Sequence, residues 1–242
     1  MKLDSMDKGR MSLLLVDDEP FQRRVLREVL RSVGFRHMTE AETGHDALLK
    51  MADDAYDVIL SDVQMPGMNG LELLRQIRSG QTPRPRDSRF LIVTSFSNTE
   101  VLGAAMALDV NGFLVKPIRI AVVLEKIERA INEPFHLRAQ SEYGSVATDL
   151  SSLETTARNS GVLPTIRSAA AERSDLGKGQ SRLPLTQLRE GMKVARDLVA
   201  MDGTVLVRAE TVLTELIINR LRELTSVLPD DFVHVIGSPA EK

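Results

Sequence analysis

Residues 12–19 read SLLLVDDE, a short apolar run that ends abruptly in three acidic residues. Similar runs recur at 58–60 (VIL), 90–94 (FLIVT) and 112–115 (GFLV), with a weaker one at 36–41. Short apolar runs that give way at once to polar residues are typical of strands buried on both faces of a sheet. This part of the sequence therefore predicts five strands.

Segments of helical period separate these runs. Apolar residues between Phe21 and Val33 fall on one face of a helix, and Gly34 marks its end. Four further amphipathic segments follow at 47–51, 71–77, 101–108 and 120–131. Strands that alternate with helices predict an α/β domain with a doubly wound (βα)5 parallel sheet, because the crossovers between parallel strands are right-handed.

The composition of the chain bounds its function. A length of 242 residues favours two domains, and 43% hydrophobic with 27% charged residues is an ordinary balance for a soluble protein. The absence of cysteine excludes disulfides, thiolate metal sites and cysteine nucleophiles. The net charge of −3 and the absence of Trp argue against nucleic-acid binding. Because the sequence shows no signal peptide and no long apolar run, we expect a cytoplasmic protein without a membrane segment.

Polar side chains follow the carboxyl ends of the predicted strands. Asp17 and Asp18 follow the first strand, Asp62 ends the third, Thr94 the fourth, and Lys116 follows the fifth. Because the carboxyl ends of parallel strands lie on one edge of a sheet, we expect these groups to converge. Clustered carboxylates need a compensating cation, and oxygen ligands without His or Cys suit Mg²⁺. A carboxylate beside such a metal can attack a phosphoryl group, whose oxygens a lysine and a threonine can bind.

This pattern resembles the receiver domain of bacterial two-component response regulators. The resemblance rests on five elements that occur in order: Asp17-Asp18, Asp62 within LSDVQMPGMNG, Thr94-Ser95, Phe113 and Lys116-Pro117. They span roughly half of the chain. The resemblance implies a flavodoxin-like fold with the strand order 2-1-3-4-5.

The resemblance also implies a phosphoacceptor and a metal site. Asp62 would accept a phosphoryl group from the phosphohistidine of a partner histidine kinase or phosphotransfer protein. Asp18, Asp62 and the backbone carbonyl of Gln64 would ligate Mg²⁺, and Asp17 would act mainly through water. Beyond this self-phosphorylation and autodephosphorylation, we expect no enzymatic activity, because no second cluster of titratable residues occurs in the sequence.

Further residues are implied to bind the phosphoryl group or to respond to it. Lys116 would pair with the phosphate, Thr94 would swing towards it, and Phe113 would rotate inwards. Gln64 and Phe96 stand two positions beyond the acceptor and the threonine, where family members tune the access of hydrolytic water. We expect the bulky Phe96 to slow autodephosphorylation.

Three other features have simpler explanations. His45-Asp46 matches the residue pair of metal-dependent phosphohydrolases, but the chain has only four histidines and such a site needs more ligands, so we interpret the pair as a surface helix start. The basic loop 83–86 (PRPR) is interpreted as solvated. Asp109 stands where relatives often have Gly, and we expect little consequence because Asp tolerates a left-handed conformation.

The second half of the chain differs in composition from the first. We assign residues 1–133 to the receiver and 134–182, rich in Ser, Thr, Gly and Ala, to a linker. Within this linker, Val146, Leu150, Leu153 and Ala157 have helical spacing. That spacing is compatible with a short helix in a dimer contact, with a linker helix, or with disorder.

Residues 183–242 predict a small α+β module. The apolar runs 194–199 and 204–207 flank an Asp-Gly turn and predict a hairpin. Thr214 is a candidate cap for the helix that follows, and 231–236 (DFVHVI) predicts a closing strand. Such a module is small enough to be marginally stable alone.

The output of this module has several candidate explanations. DNA binding is common among receivers, but the module is net acidic and lacks a helix-turn-helix pair, which argues against it. The sequence from Leu188 to Leu221 shows a weaker resemblance to the small module that precedes the catalytic domain of many HD-GYP cyclic-di-GMP phosphodiesterases. The catalytic His and Asp motifs of that domain do not occur here.

We therefore expect a non-catalytic module that switches self-association or docks a downstream protein. The face formed by the predicted fourth helix, fifth strand and fifth helix is the candidate surface for homodimerisation. Two alternatives remain open at this stage: a transcriptional regulator with an atypical DNA-binding module, and an adaptor that regulates a separate phosphodiesterase or kinase.

Overall fold

The computed structural model describes residues 5–95, 99–135, 137–153 and 180–236. The chain divides into two compact units, Met1–Ser97 with Ala107–Leu150, and Asn98–Met106 with Ser151–Lys242. No helix within the described ranges is long and apolar enough to cross a bilayer.

Strands and helices alternate through the first half of the chain. The strands are β1 (Ser12–Val16), β2 (His37–Ala41), β3 (Val58–Asp62), β4 (Arg89–Thr94) and β5 (Gly112–Val115). The helices are α1 (Ser5–Arg10), α2 (Pro20–Ser32), α3 (Gly44–Asp53), α4 (Gly70–Arg78), α5 (Thr99–Ala107) and α6 (Ile120–Asn132). The five predicted strands are confirmed.

The five strands form one parallel sheet. Their order is β2-β1-β3-β4-β5, which confirms the doubly wound (βα)5 architecture. In this register Val16 lies beside Ser61, and Thr94 lies beside Val115. The polar residues at or after these positions therefore share the carboxyl edge of the sheet.

The core is aliphatic and lies on both faces of the sheet. On one face, alternate residues of the central strands, such as Leu13 and Leu15, pack against Leu30 of α2 and Ile127 of α6. Residues such as Leu14 have the opposite orientation and are equally buried, on the face covered by α3 and α4. Each fully buried leucine contributes about 2 kcal/mol. This packing fixes the strands and hence the positions of the polar groups that follow them.

A segment beyond α6 packs on α4. We call residues 137–150 the strap; it includes the short helix α7 (Gln140–Tyr143). The phenol of Tyr143 is fully buried and donates to Asp109 over 2.6 Å. The first part of the interval 134–182, whose composition predicts a linker, therefore makes ordered contacts with α4 and with Asp109.

Two expectations change with the strap. Asp109 was expected to have little consequence, which is wrong, because its buried carboxylate anchors Arg138 as well as Tyr143. Its φ of 50° is in the left-handed region, as expected. Of the alternatives left open for the spacing at 146–157, a helix that begins at Val146 is wrong, since Val146 is not helical and the next helical residues are 150–153. Ala157 lies outside the described residues.

The C-terminal module is an α+β unit, as predicted. Its elements are β6 (Gln180–Pro184), β7 (Lys193–Val194), β8 (Leu198–Val199), β9 (Val205–Val207), α8 (Glu215–Glu223) and β10 (Phe232–Ile236), with 3-10 turns at Leu185–Gln187 and Thr225–Val227. β10 lies between β6 and β7 in an antiparallel sheet, and β8 pairs with β9 in the predicted hairpin. Thr214 caps α8 by accepting from the amide of Ile217 over 3.2 Å.

One strand of this module was predicted wrongly. The apolar run 194–199 does not form one strand, because its two ends belong to different sheets. Between them, the carboxylate of Asp197 accepts a hydrogen bond from the amide of Ala209 over 2.7 Å. This bond fixes a bend that a pattern of apolar residues does not reveal.

Candidate functional site

Three carboxylates meet at the carboxyl edge of the sheet. Asp17 and Asp18 follow β1, and Asp62 is the last residue of β3. One carboxylate oxygen from each lies within 4.8 Å of those of the other two. Asp17 is buried, whereas Asp18 and Asp62 are partly exposed, so the cluster is reachable from solvent.

A single ammonium group compensates this charge in part. Lys116 Nζ lies 3.1 Å from Asp62 Oδ1 and 3.4 Å from Asp17 Oδ2. Burial raises the pKa of Asp62; Lys116 opposes the rise and Asp17 adds to it. One lysine beside three carboxylates leaves an excess of negative charge on hard oxygen ligands, and such a donor set fits Mg²⁺.

A buried arginine holds the loop that carries the first two aspartates. Arg23 Nη1 donates to the carbonyl oxygen of Asp17 over 2.5 Å. Its remaining nitrogens pair with Glu40 at 2.9 Å and Glu42 at 3.3 Å, both at the end of β2. The amide of Glu19 donates to Asp17 Oδ1 over 2.9 Å, which orients that carboxylate. Sequence analysis missed Arg23, although a cation on the buried face of an amphipathic helix was a usable signal.

The loop after Asp62 is tied to the start of α4. A side chain at Gly70 would place its Cβ 2.2 Å from the carbonyl oxygen of Asp62, so only glycine fits. The amide of Gly70 donates to the carbonyl of Val63 over 3.0 Å. Asn69 caps α4 by accepting from the amide of Glu72 over 2.9 Å. The backbone of Asp62 is thus in direct contact with the first turn of α4.

The residues predicted to bind the phosphoryl group or to respond to it lie in several elements around this edge. Thr94 ends β4 at the same edge and is partly exposed. Phe113 lies on β5 and is 1% exposed. Gln64 is in the loop after Asp62, and its side chain is exposed. Phe96 lies outside the described residues.

The site lies at the carboxyl edge of a parallel sheet with the strand order 2-1-3-4-5, and it combines an acidic cluster with a lysine and a threonine. This combination defines a class of signalling domain that receives phosphoryl groups. Residues 13–128 match the family described as the response regulator receiver domain. The chain belongs to this family.

Two relatives illustrate the match. The chain is 36% identical to chemotaxis protein CheY of Pseudomonas aeruginosa over 119 residues, which cover 49% of this chain and 94% of that protein. It is 34% identical to chemotaxis protein CheY-3 of Vibrio cholerae over 127 residues, covering 52% of this chain and 96% of that protein. Among solved structures, a response regulator from Chloroflexus aurantiacus is similar with a TM-score of 0.47 and 26% identity, covering 50% of this chain and 97% of that one.

These relatives cover only about half of the present chain. The resemblance of residues 188–221 to the module of HD-GYP proteins is not shown by these comparisons. It stays a prediction.

Proposed function

We propose that this response regulator accepts a phosphoryl group on Asp62 from the phosphohistidine of a partner histidine kinase or phosphotransfer protein. The observation that carries the proposal is the position of Asp62, the last residue of β3, whose carboxylate lies 3.1 Å from the ammonium of Lys116. Asp17 and Asp18 lie beside it, and the carboxylate is partly open to solvent. A nucleophile needs this access, and a structural carboxylate does not.

The transfer is a single displacement at phosphorus. An ionised oxygen of Asp62 forms a bond to phosphorus while the bond between phosphorus and the imidazole nitrogen breaks, and the released imidazole takes up a proton. Lys116 can stabilise the transferred group, because its ammonium can pair with a phosphoryl oxygen in the way that it pairs with the carboxylate of Asp62.

The metal requirement follows from the donor set. Asp17, Asp18, Asp62 and the backbone carbonyl of Gln64 would hold Mg²⁺, with Asp17 acting mainly through water. When bound, the ion supplies positive charge for the phosphoryl oxygens. Arg23 keeps the loop of Asp17 in place through its bond to the carbonyl of that residue.

The response to phosphorylation is assigned to residues around this edge. Thr94 swings towards the phosphoryl group and binds one of its oxygens, and Phe113 rotates inwards in response to phosphorylation. Gln64 and Phe96 tune the access of hydrolytic water and hence the lifetime of the phosphorylated state.

We divide the chain into a receiver, a connecting segment and an output module. Residues 1–133 form the receiver, 134–182 the connection, and 183–242 a module that acts in the cytoplasm by self-association or by docking a protein partner. The candidate surface for a homodimer stays the one expected from the sequence, made by the predicted fourth helix, fifth strand and fifth helix. The arginines of α8 do not favour DNA as the partner, because Arg220 is 1% exposed and pairs with Glu223 at 2.6 Å, and Arg222 donates to the carbonyl of Leu185.

Intact mass spectrometry with Mg²⁺ and acetyl phosphate tests the proposal. We expect the wild type to gain one phosphoryl group, Asp62→Ala to gain none, and Asp53→Ala, which removes an exposed acid of α3, to behave as the wild type. Omission of Mg²⁺ should abolish the gain. A wild type that stays unphosphorylated, or an Asp62→Ala protein that still gains the group, would refute the assignment of Asp62.

Light scattering on the same samples tests the output. An increase in mass from monomer to dimer on phosphorylation would place the output in self-association. An unchanged mass would leave docking of a protein partner as the proposed output.

A further inference from the structure

Helix α5 is buried on every side. Residues 100–106 are all buried, and seven consecutive helical residues point in all directions around the helix axis. By contrast, α6 is a one-sided helix whose buried residues are Val123, Ile127 and Ala130. The sequence 101–107 (VLGAAMA) carries no polar side chain. A helix that is apolar all round needs a partner on more than one side.

One partner of α5 is the turn of the β8–β9 hairpin, which lies in the same compact unit as residues 98–106. Thr99, the first residue of α5, donates its hydroxyl to the carboxylate of Asp202 in that turn. The amide of Thr204 donates to the same carboxylate over 3.0 Å, and the hydroxyls of Thr99 and Thr204 lie 3.1 Å apart. Burial opposes the charge of Asp202, but these hydrogen bonds outweigh it and lower the pKa of the carboxyl below its usual value. Asp202 therefore joins the first turn of α5 to the hairpin.

A second contact lies one turn further along the helix, at Gly103. A Cβ at this position would lie 2.6 Å from the carbonyl oxygen of Val205, the first residue of β9, so a side chain does not fit there. Thr99 and Gly103 are four residues apart and lie on the same face of α5, which we call the glycine face. Glycine inside a helix costs stability, and the close approach of the hairpin backbone explains why this helix contains it.

The hairpin on the glycine face is part of the folded module. Its strands pair with each other, with Leu198 beside Val207. The amide of Met201, in the turn, donates to the carbonyl of Val227 over 2.9 Å. Leu206 of β9 is buried. The contacts with α5 are therefore made by an ordered edge of the module.

We propose that the β8–β9 hairpin competes with a second copy of the chain for α5. This helix is the fourth of the five helices predicted for the receiver, so it belongs to the surface expected for homodimerisation. Because residues 100–106 are buried in the single chain, a second copy can reach this helix only where an occupant leaves it. The hairpin is the occupant of the glycine face. This inference rests on the proposed function, because it takes self-association as the output.

Gly103→Ala tests the glycine face in the full-length protein. Alanine favours a helix over glycine, but its methyl group would lie 2.6 Å from the carbonyl oxygen of Val205 and would displace the hairpin. Gly9→Ala is the matched control, since it makes the same change in helix α1, where the methyl group would meet Arg36 Cδ at 3.9 Å, an ordinary contact. Sedimentation velocity measures the dissociation constant of the dimer for both variants and the wild type.

We expect unphosphorylated Gly103→Ala to dimerise about a hundredfold more tightly than the wild type, because both copies must release their hairpins before they associate. A hairpin that is docked in about nine molecules of ten leaves about one pair in a hundred competent to dimerise. Gly9→Ala should have the dissociation constant of the wild type.

A disulfide tests the same contact in the opposite direction, because the chain has no cysteine of its own. Thr99→Cys together with Thr204→Cys places two thiols where the hydroxyls lie 3.1 Å apart, a separation that a disulfide can bridge. We expect the oxidised protein to stay monomeric, even with Mg²⁺ and beryllofluoride as a phosphoryl mimic. Reduction should restore the dimer that the wild type forms under the same conditions. Thr99→Cys alone controls for disulfides between chains.

Three results would overturn the inference: Gly103→Ala that dimerises no more tightly than the wild type, an oxidised protein that dimerises as the reduced one does, or thiols at positions 99 and 204 that do not form the internal disulfide. If no protein dimerises under any condition, the inference fails together with self-association as the output. Fluorine NMR reports bound beryllofluoride and tests the phosphoacceptor separately, since the comparison of Gly103→Ala with wild type needs no phosphoryl group. If Gly103→Ala does not fold, the disulfide gives the decision.

Discussion

Each of the two edges of the receiver sheet holds a largely buried aspartate, but the two aspartates differ in how far neighbouring groups compensate their charge. At the amino edge, Asp109 precedes β5, is 4% exposed at its side chain, and accepts hydrogen bonds on both oxygens from Arg138 and Tyr143. At the carboxyl edge, Asp62 is 13% exposed at its side chain and shares one lysine with Asp17.

The difference separates a structural carboxylate from a chemical one. The partners of Asp109 satisfy the hydrogen-bonding capacity of both its carboxylate oxygens. Burial and the charge of Asp109 raise the pKa of the Tyr143 phenol, so that the phenol stays a donor. Asp62 has a raised pKa because burial disfavours its charge more than Lys116 favours it. An incompletely compensated carboxylate costs stability and is retained where a ligand or a reaction needs it.

The largest effect is expected from breaking the satisfied cluster. Asp109→Ala should lower the free energy of unfolding by about 3 kcal/mol, because the buried phenol of Tyr143 and the partly buried guanidinium of Arg138 lose their acceptor. Burial already lowers the pKa of the neighbouring Arg78 to about 10, and Asp109 is the main group that opposes this. Urea denaturation followed by circular dichroism measures the loss.

A double-mutant cycle sharpens this prediction. Tyr143→Phe should cost about 1 kcal/mol in the wild type and much less in Asp109→Ala, since the hydroxyl then has no carboxylate to donate to. The exposed Asp53→Ala should stay within about 0.5 kcal/mol of the wild type. If Asp109→Ala behaves as this control does, the contacts of Asp109 with Arg138 and Tyr143 do not stabilise the receiver.

The second effect concerns Mg²⁺ at the other edge. Arg23→Met should weaken Mg²⁺ binding about tenfold, because groups that orient metal ligands commonly contribute this much. Arg27→Met is the matched control: Arg27 also pairs with Glu40, at 2.7 Å, but its described bonds do not include the carbonyl of Asp17. The chain has no Trp, so titration calorimetry is the appropriate measurement. Equal losses in both variants would mean that Glu40, and not the loop of Asp17, is what matters.

The smallest expected change in the free energy of unfolding is a gain, whereas Asp109→Ala causes a loss. Asp62→Asn should raise the free energy of unfolding by about 1 kcal/mol without Mg²⁺, because it removes one carboxylate from an undercompensated cluster. The folded pKa of Asp62 lies above 3.8, so its ionisation costs stability as pH rises through that range. The stability gained by Asp62→Asn should therefore be complete at neutral pH and should disappear at pH values below the usual pKa range of carboxyl groups.

Thermal unfolding of wild type and Asp62→Asn between pH 3 and pH 8 checks this sign. Saturating Mg²⁺ should reduce the difference, since the ion supplies the missing charge to the wild type. A variant that is less stable than the wild type at neutral pH would show that Lys116 compensates Asp62 fully.

Local patterns were sufficient to predict the framework of the site. The β5 strand was predicted with its observed bounds, Gly112–Val115, because a short apolar run between polar residues leaves little freedom. Parallel order then predicts that Asp17, Asp18 and Asp62 meet, and the structure brings them within 4.8 Å. This reasoning needs only the strand ends and the topology.

The strap could not be predicted in the same way. Its apolar residues follow no helix or strand period, and it is stabilised by pairs far apart in the chain, such as Arg138 with Asp109 and Asn69 with Thr148. Neither pair leaves a period in the sequence. Arg23 was missed for a related reason, since its partner at Asp17 is a backbone carbonyl, which no residue type reveals.

The strap has a practical consequence for dissecting the protein. The family match ends at residue 128, and a fragment cut there would keep every acidic residue of the phosphoacceptor edge. It would lose Phe135, whose ring lies 4.7 Å from the buried guanidinium of Arg78, and both partners of Asp109. In such a fragment the carboxylate of Asp109 would lose its side-chain donors, and the fragment would report a lower stability than the receiver has in the whole chain. A fragment that ends at Leu150 keeps the whole strap and its contacts with Asp109 and Asn69.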